Sequence, residues 1–101
     1  MNIEIDEYIK NLKEGEKKLI SQDNYRILLI NHNGKIYAID AFCSHEDESL
    51  QDGFVDDGCI ECPKHGAKFD LSSGMVKALP AVKPIKTYNI IYENDKCYVS
   101  V

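Results

Sequence analysis

Apolar residues occur along this chain in short runs, and polar, turn-forming residues separate the runs from one another. Lys17–Ser21, Tyr25–Asn31 and Lys35–Asp40 are rich in isoleucine, leucine and tyrosine, a composition that predicts β-strands. Asn33-Gly34 separates the last two segments and fits a type I′ turn, because both residues tolerate a positive φ. The pattern therefore predicts a β-hairpin around this turn.

The end of the chain repeats this arrangement, whereas its start differs. Thr87–Tyr92 and Cys97–Val101 carry similar apolar runs, and the polar residues 93–96 lie between them. These segments predict a second hairpin. Near the start, Asp6 is predicted to cap a short helix that ends near Gly15.

Residues 42–71 show little regular periodicity. This stretch contains three of the four cysteines, one proline, three glycines and many acidic residues. It predicts two loops that are joined by short strands around Phe54-Val55 and Cys59–Glu61. The aromatic residues expected to pack around these loops and exclude water are Phe42, Phe54 and Phe69.

Composition limits the classes of protein that the chain can represent. No apolar run approaches the ~20 residues that a membrane-spanning helix needs, and no secretory signal segment opens the chain. With 101 residues, it is predicted to form a single domain, residues 1–101, in the cytoplasm. The net charge of −5 argues against binding nucleic acid through its phosphates and suits docking on a positively charged partner.

Two of the three histidines lie at short distances from cysteines. Cys43-Ser44-His45 is a Cys-x-His motif and Cys62-Pro63-Lys64-His65 is a Cys-x-x-His motif, with sixteen residues between them. In the absence of a secretory signal, cysteines grouped with histidines indicate a metal site rather than disulfides. Two facing loops of this kind supply two sulfur and two nitrogen ligands. A two-iron cluster with thiolates on one iron and imidazoles on the other needs this set.

The sequence around these motifs resembles the Rieske iron–sulfur proteins. The stretches that carry the resemblance are Gly34 to Asp40, Leu50 with Asp52-Gly53 and Val55, Cys62 to Gly74, and the final strand at Tyr88. The resemblance covers about three-quarters of the chain, from Tyr25 onward.

The resemblance implies that Cys43 and Cys62 bind an inner iron, and that His45 and His65 bind an outer iron, of one [2Fe–2S] cluster. The implied fold is all-β, a small antiparallel sandwich that carries a cluster-binding subdomain at about residues 42–71. The implied function is one-electron transport by a ferredoxin, which is not an enzyme on its own. The expected partners are a flavin-type reductase and a terminal oxygenase or other redox acceptor, and we expect a monomer.

Two positions depart from the high-potential members of the family. Those members carry a serine and a tyrosine whose hydroxyls donate to cluster or cysteine sulfur, whereas this chain has Ala67 and Phe69. Six acidic residues at 46–57, with no Lys or Arg, act in the same direction because negative charge disfavours adding an electron. We therefore expect a potential near the low end of the Rieske range, which is roughly −150 to +300 mV.

Zinc is the main alternative to the cluster. Cys59-Ile60-Glu61-Cys62 is a Cys-x-x-Cys motif, and Cys59, Cys62, His65 and Cys43 could surround a tetrahedral zinc in an interaction module. Such a site would use Cys43 of the Cys-x-His motif but give no role to His45. Packing within a short strand can account for Cys59 without a metal. Cys97, in the last strand, is expected to be a core residue.

Two enzyme-related alternatives fit less well. An oxygenase domain needs a separate iron site of two histidines and a carboxylate, and only His32 would remain for it. The chain could also be a small subunit of a nitrite-reductase-like enzyme. Related domains in such enzymes often lack the ligands, whereas this chain keeps all four.

Overall fold

The computed structural model describes residues 2–44, 48–64, 66–79 and 83–101. These parts of the chain contain ten strands and one four-residue helix. None of their helical structure is long and apolar enough to span a membrane. In chain order, the elements are β1 (Asn2–Glu4), α1 (Asp6–Ile9), β2 (Lys17–Gln22), β3 (Tyr25–His32), β4 (Lys35–Asp40), β5 (Phe54–Asp56), β6 (Cys59–Glu61), β7 (Lys68–Asp70), β8 (Val76–Ala78), β9 (Thr87–Glu93) and β10 (Lys96–Ser100).

The strands form two antiparallel sheets. The large sheet has the order β1-β10-β9-β4-β3-β2, and the small sheet has the order β5-β6-β7-β8. Both predicted hairpins are present in the large sheet. His32 pairs with Lys35 around Asn33 and Gly34, whose φ angles are 54° and 78°. The predicted all-β antiparallel fold is therefore confirmed.

Strand β3 is buried on both of its faces. Ile27 and Leu29 belong to one apolar core, whereas Leu28 and Ile30 belong to another, and all four are fully buried. Successive side chains of a strand point to opposite faces, so a strand between two cores must be apolar at every position. This placement explains the unbroken apolar run at residues 27–30.

The first core, which we call the body core, is enclosed by the large sheet. Its members are Ile3, Ile5, Ile20, Ile27, Leu29, Ala38, Cys97 and Val99. Because both edge strands, β1 and β2, contribute side chains to it, the sheet must curl around this core. Cys97 is 3% exposed, as its prediction as a core residue requires.

The second core, which we call the loop core, lies between the large sheet and the small sheet. Its members are Leu28, Ile30, Ile39, Ala41, Cys43, Leu50, Ile60, Cys62, Ala67, Phe69, Leu71 and Ile85. Ile60 and Phe69 are paired across β6 and β7 and are fully buried, so one face of the small sheet covers this core. The small sheet continues to Ala78.

Several local predictions are wrong. The helix ends at Ile9 and not near Gly15. Asp6 does not cap helix α1, which begins after Ile5 without a side-chain cap; its carboxylate accepts a hydrogen bond from the Cys97 N–H at 2.5 Å. Phe54 is 66% exposed, because it lies on the outer face of the small sheet and not against the loops. Phe69 is buried as expected, whereas Phe42 is 38% exposed.

Candidate metal centre

The two loops that contain the predicted ligands close in the same way. The Cys43 N–H donates to the carbonyl of Glu48, and the Cys62 N–H donates to the carbonyl of Ala67, both at 2.7 Å. Each loop therefore begins at a cysteine and returns to that cysteine five residues later, with its histidine in between. We call residues 43–48 loop one and residues 62–67 loop two.

The two cysteines that begin the loops are buried in one core. Cys43 is 2% exposed and Cys62 is 3% exposed, and both belong to the loop core. His45 and His65 lie outside the described residues, as do the acidic Glu46 and Asp47. The structure therefore brings the two predicted thiols into one core, while the role of the two imidazoles stays a prediction.

Loop two has a turn of its own. The Gly66 N–H donates to the carbonyl of Cys62 at 3.1 Å, and Gly66 has a φ of +77°. Among the described residues, a Cβ at this position would meet Glu61 Oε2 at 3.9 Å and nothing closer. The backbone conformation, rather than a shortage of space, is what favours glycine here.

The segment between the loops packs loop one onto the strand that leads into loop two. The Leu50 N–H donates to the carbonyl of Ala41 at 2.7 Å, and the Leu50 side chain is fully buried. A Cβ on Gly53 would lie 2.7 Å from the carbonyl oxygen of Glu61, in strand β6. The close approach of two backbones therefore explains why the Asp52-Gly53 pair carries a glycine.

The core in which the two cysteines are buried is formed by apolar side chains. Ala67 and Phe69 are fully buried in the loop core and offer no hydroxyl to a neighbouring sulfur. Of the acidic residues at 46–57 that the structure describes, Asp52, Asp56 and Asp57 are exposed and Glu48 is half-buried. The low reduction potential stays a prediction, which rests on the lack of hydroxyl groups at residues 67 and 69.

The donor chemistry fits the cysteine half of a [2Fe–2S] site. Iron–sulfur clusters are bound through cysteine thiolates, and here matching loops bring two thiols into a common buried core. Burial of two thiolates in an apolar core is costly unless a cation neutralises them. A cluster bound by both sulfurs would supply that neutralisation.

Cys59 does not join these thiols. It pairs with Asp56 and Asp70 in the small sheet and lies on the face opposite to the buried Ile60. Burial raises the pKa of the Cys59 thiol, and the charge of Asp70 raises it further. Among the residues that the structure describes, no three His, Cys, Asp or Glu side chains form a possible metal site. Cys43, Cys59 and Cys62 therefore do not surround a zinc together.

Sequence reasoning missed a segment that lies beside loop one. Ser44 Oγ donates to the carbonyl of Lys83 at 2.6 Å, and the Lys86 N–H donates to Asp40 Oδ2 at 3.0 Å. The partners are 39 and 46 residues apart along the chain, so no local pattern could pair them. Tyr88 also donates to Asp40; burial, together with this hydrogen bond, raises the pKa of Tyr88.

Comparison with known proteins agrees with this geometry. The family model of the Rieske [2Fe-2S] domain matches residues 4–89. A 3-phenylpropionate/cinnamic acid dioxygenase ferredoxin subunit from Photorhabdus laumondii is 37% identical over 76 residues, which are 74% of this chain and 72% of that protein.

Solved structures show the same similarity. The Sphingomonas yanoikuyae B1 ferredoxin has a TM-score of 0.82 and 33% identity, with 92% of each chain covered. A chain in the complex of reduced oxygenase and oxidized ferredoxin in carbazole 1,9a-dioxygenase has a TM-score of 0.81, with 90% of this chain and 85% of that chain covered. At 24% identity, this second likeness concerns the fold alone.

Proposed function

Because this chain belongs to the Rieske [2Fe–2S] family, we propose that it passes single electrons from a flavin-type reductase to a terminal oxygenase or another redox acceptor. Its cofactor is a [2Fe–2S] cluster, and the chain is an electron carrier rather than an enzyme on its own. When bound, the cluster takes up and releases one electron.

The proposal includes the four ligands. Cys43 and Cys62 supply the thiolates, and His45 and His65, which follow them in the two loops, supply the imidazoles. This assignment rests on one observation: loops one and two close by matching backbone hydrogen bonds, and their cysteines lie in the same buried core. The whole chain, residues 1–101, acts as a single domain in this proposal.

The chain's own residues bind the cluster and keep water away from its sulfur ligands. Leu50, Ala67 and Phe69 are fully buried beside the cysteines in the loop core. Because none of these side chains donates a hydrogen bond, the added negative charge of a reduced cluster gains little stabilisation from them. The proposal therefore includes a low potential, which suits a carrier that receives electrons from a flavin.

The names of the relatives support the choice of partners. The Photorhabdus protein is named as a ferredoxin subunit of a dioxygenase, and a ferredoxin of the same fold occurs in a complex with its oxygenase. The net charge of −5 suits partners with a basic docking surface. We propose a monomer that works in the cytoplasm, where cysteines stay reduced.

Cysteine variants test the ligand assignment. Cys43→Ala and Cys62→Ala should each abolish the visible and paramagnetic spectrum of the cluster, since each removes one thiolate. His65→Cys should replace the Rieske spectrum with a different one. Cys59→Ala is the matched control and should leave the spectrum unchanged, because Cys59 lies outside the loop core. A native spectrum in the Cys43 variant would contradict the assignment.

A further inference from the structure

Two oppositely charged side chains flank loop two. Glu61 directly precedes Cys62 and Lys68 directly follows Ala67, so the two residues stand at the two ends of the loop. They are paired with each other across strands β6 and β7. Lys68 Nζ lies 3.7 Å from Glu61 Oε1, and we call these two residues the charge pair. The charge pair is therefore the next pair of residues after the hydrogen bond from Cys62 to Ala67 that closes the loop.

The Glu61 carboxylate also reaches the turn of loop two. Its Oε2 lies 3.9 Å from the position that a Cβ on Gly66 would take. Gly66 directly follows His65, which is a proposed ligand of the outer iron. The other carboxylate oxygen, Oε1, is the one that faces Lys68. One carboxylate thus lies beside the backbone of the loop and beside its own counter-ion.

Both members of the charge pair lie on the outer face of the small sheet. Their side chains are 40% exposed for Glu61 and 49% exposed for Lys68, whereas Ile60 and Phe69 in the same strands are fully buried in the loop core. An ion pair between exposed side chains contributes little to the free energy of folding. The main consequence of the charge pair is therefore the charge that it places at loop two.

A fixed charge beside a redox centre changes the reduction potential of that centre. Reduction adds one electron, so a nearby negative charge disfavours reduction and a nearby positive charge favours it. The charges of Glu61 and Lys68 are opposite and lie close together, so their effects on a cluster in loop two oppose each other.

We propose that the charge pair sets the reduction potential of the cluster: the Glu61 carboxylate disfavours reduction, and the Lys68 ammonium group offsets most of that effect. The inference rests on the proposed function, because it concerns the cluster bound through loop two. Loss of either charge should therefore move the potential, and loss of both should leave it nearly unchanged.

Redox titration of the cluster-loaded protein measures the effect of each charge. Glu61→Gln should favour reduction by about threefold to tenfold, which raises the potential by roughly 30–60 mV at about 59 mV per tenfold. Lys68→Gln should lower the potential by a similar amount. The double variant, Glu61→Gln with Lys68→Gln, has the native net charge, and its reduction equilibrium should lie within about twofold of the native one.

The directions of the two shifts separate an effect of charge from an effect of structure. Both single variants break the same ion pair, so a loosened loop two would move the potential in the same direction in both. An effect of charge instead moves the potential upward in Glu61→Gln and downward in Lys68→Gln. Lys68→Arg keeps the positive charge and should keep the native potential.

Asp56 provides the matched control for Glu61. It is an exposed acidic residue of the same sheet and pairs with Cys59, which lies two residues before Glu61 in strand β6. Two residues of a strand span about 7 Å, so Asp56 lies about one further pleat repeat away from loop two. Asp56→Asn removes the same charge and should shift the potential by about half as much or less, because water and salt screen exposed charges.

Three results would overturn the inference while leaving the proposed function intact. The first is a native potential in Glu61→Gln or in Lys68→Gln. The second is a shift in the same direction in both of these variants. The third is a shift in Asp56→Asn that is as large as the shift in Glu61→Gln, since the position beside loop two would then not matter.

Loss of the cluster from one variant leaves the test intact. If Glu61→Gln fails to bind a cluster, Lys68→Gln decides alone, and a potential that is not below the native one overturns the inference. If Lys68→Gln fails to bind a cluster, a potential in Glu61→Gln that is not above the native one does the same. Absence of a cluster from the native protein would instead overturn the proposed function, and this inference with it.

Discussion

Loops one and two close by the same backbone hydrogen bond but are supported in different ways. Loop two contains its own support: Pro63 restricts the backbone after Cys62, and Gly66 turns back onto the Cys62 carbonyl. Loop one instead has a hydrogen bond from Ser44 to Lys83, 39 residues away. Two sequence motifs of similar chemistry can therefore differ in whether local residues or distant residues hold them in place.

The largest expected effect concerns loop two and its chemistry. Ala67→Ser combined with Phe69→Tyr adds two hydroxyls beside the loop core, where both positions are fully buried. A hydrogen bond to a charged group contributes about 1.5–3 kcal/mol. Two such bonds would raise the midpoint potential by roughly 130–260 mV, at about 59 mV per tenfold. Redox titration measures the shift, and Phe69→Tyr alone should give about half of it. An unchanged potential would mean that neither hydroxyl reaches the cluster.

The next effect concerns residues 83–86, which lie beside loop one. A Cβ on Gly74 would lie 2.0 Å from the Ile85 carbonyl oxygen, and Gly74 has a φ of +77°. Gly74→Ala should therefore displace residues 83–86 and lower the free energy of unfolding by about 3 kcal/mol or more. Gly58→Ala is the matched control: its φ is +76°, but a Cβ there would meet nothing within 4 Å. It should cost only about 1–2 kcal/mol. Equal losses of stability in urea unfolding would show that residues 83–86 shift at no energetic cost.

A smaller effect is expected when Gly66, in the turn of loop two, is replaced, and Gly15 provides a similar turn away from the loops for comparison. Gly66→Ala should cost about 1–2 kcal/mol, since an alanine is strained at a positive φ and, of the described residues, Glu61 alone lies near the new methyl group. Gly15→Ala has a similar φ of +82° and open space around it, so it should cost about the same. Only the Gly66 variant should release iron faster, which a chelator assay would measure. Equal iron release from the two variants would show that the turn at Gly66 does not support loop two.

The smallest effect lies at a turn away from both loops. The Glu14 carboxylate accepts hydrogen bonds from the Asn33 and Gly34 N–H groups, which lower the pKa of Glu14 below its ordinary value of 4.5. A lowered pKa in the folded state stabilises the protein above pH 4.5, and this contribution is lost as the pH falls through the folded-state pKa. Glu14→Gln should therefore be less stable than the native protein at about pH 7, and the difference should shrink toward about pH 3. A difference that does not change with pH would contradict this account.

The sequence predicted the parts of the fold whose signals are local. The hairpin at Asn33-Gly34 was predictable because the turn chemistry and the flanking apolar runs agree. The cysteines of both loops were predictable as a pair from their short spacing to histidines. Strands β7 and β8, which have three residues each, were not predicted.

The remaining parts depend on contacts between distant residues. Nothing near Ser44 indicates a partner at residue 83, and nothing near Asp6 indicates that its carboxylate binds strand β10, 91 residues later, instead of capping a helix. The exposure of Phe54 also depends on distant contacts, since it is decided by which face of the small sheet covers the loop core. Alternation within a three-residue strand does not specify that choice.

The presence of a [2Fe–2S] cluster with two histidine ligands is best tested by electron paramagnetic resonance of the dithionite-reduced native protein, prepared anaerobically with iron and zinc quantified. We expect a rhombic signal with the low average g of a nitrogen-ligated two-iron cluster, and about two iron atoms per chain. A silent sample that contains about one zinc per chain, and that stays silent after reconstitution with iron and sulfide, would contradict it.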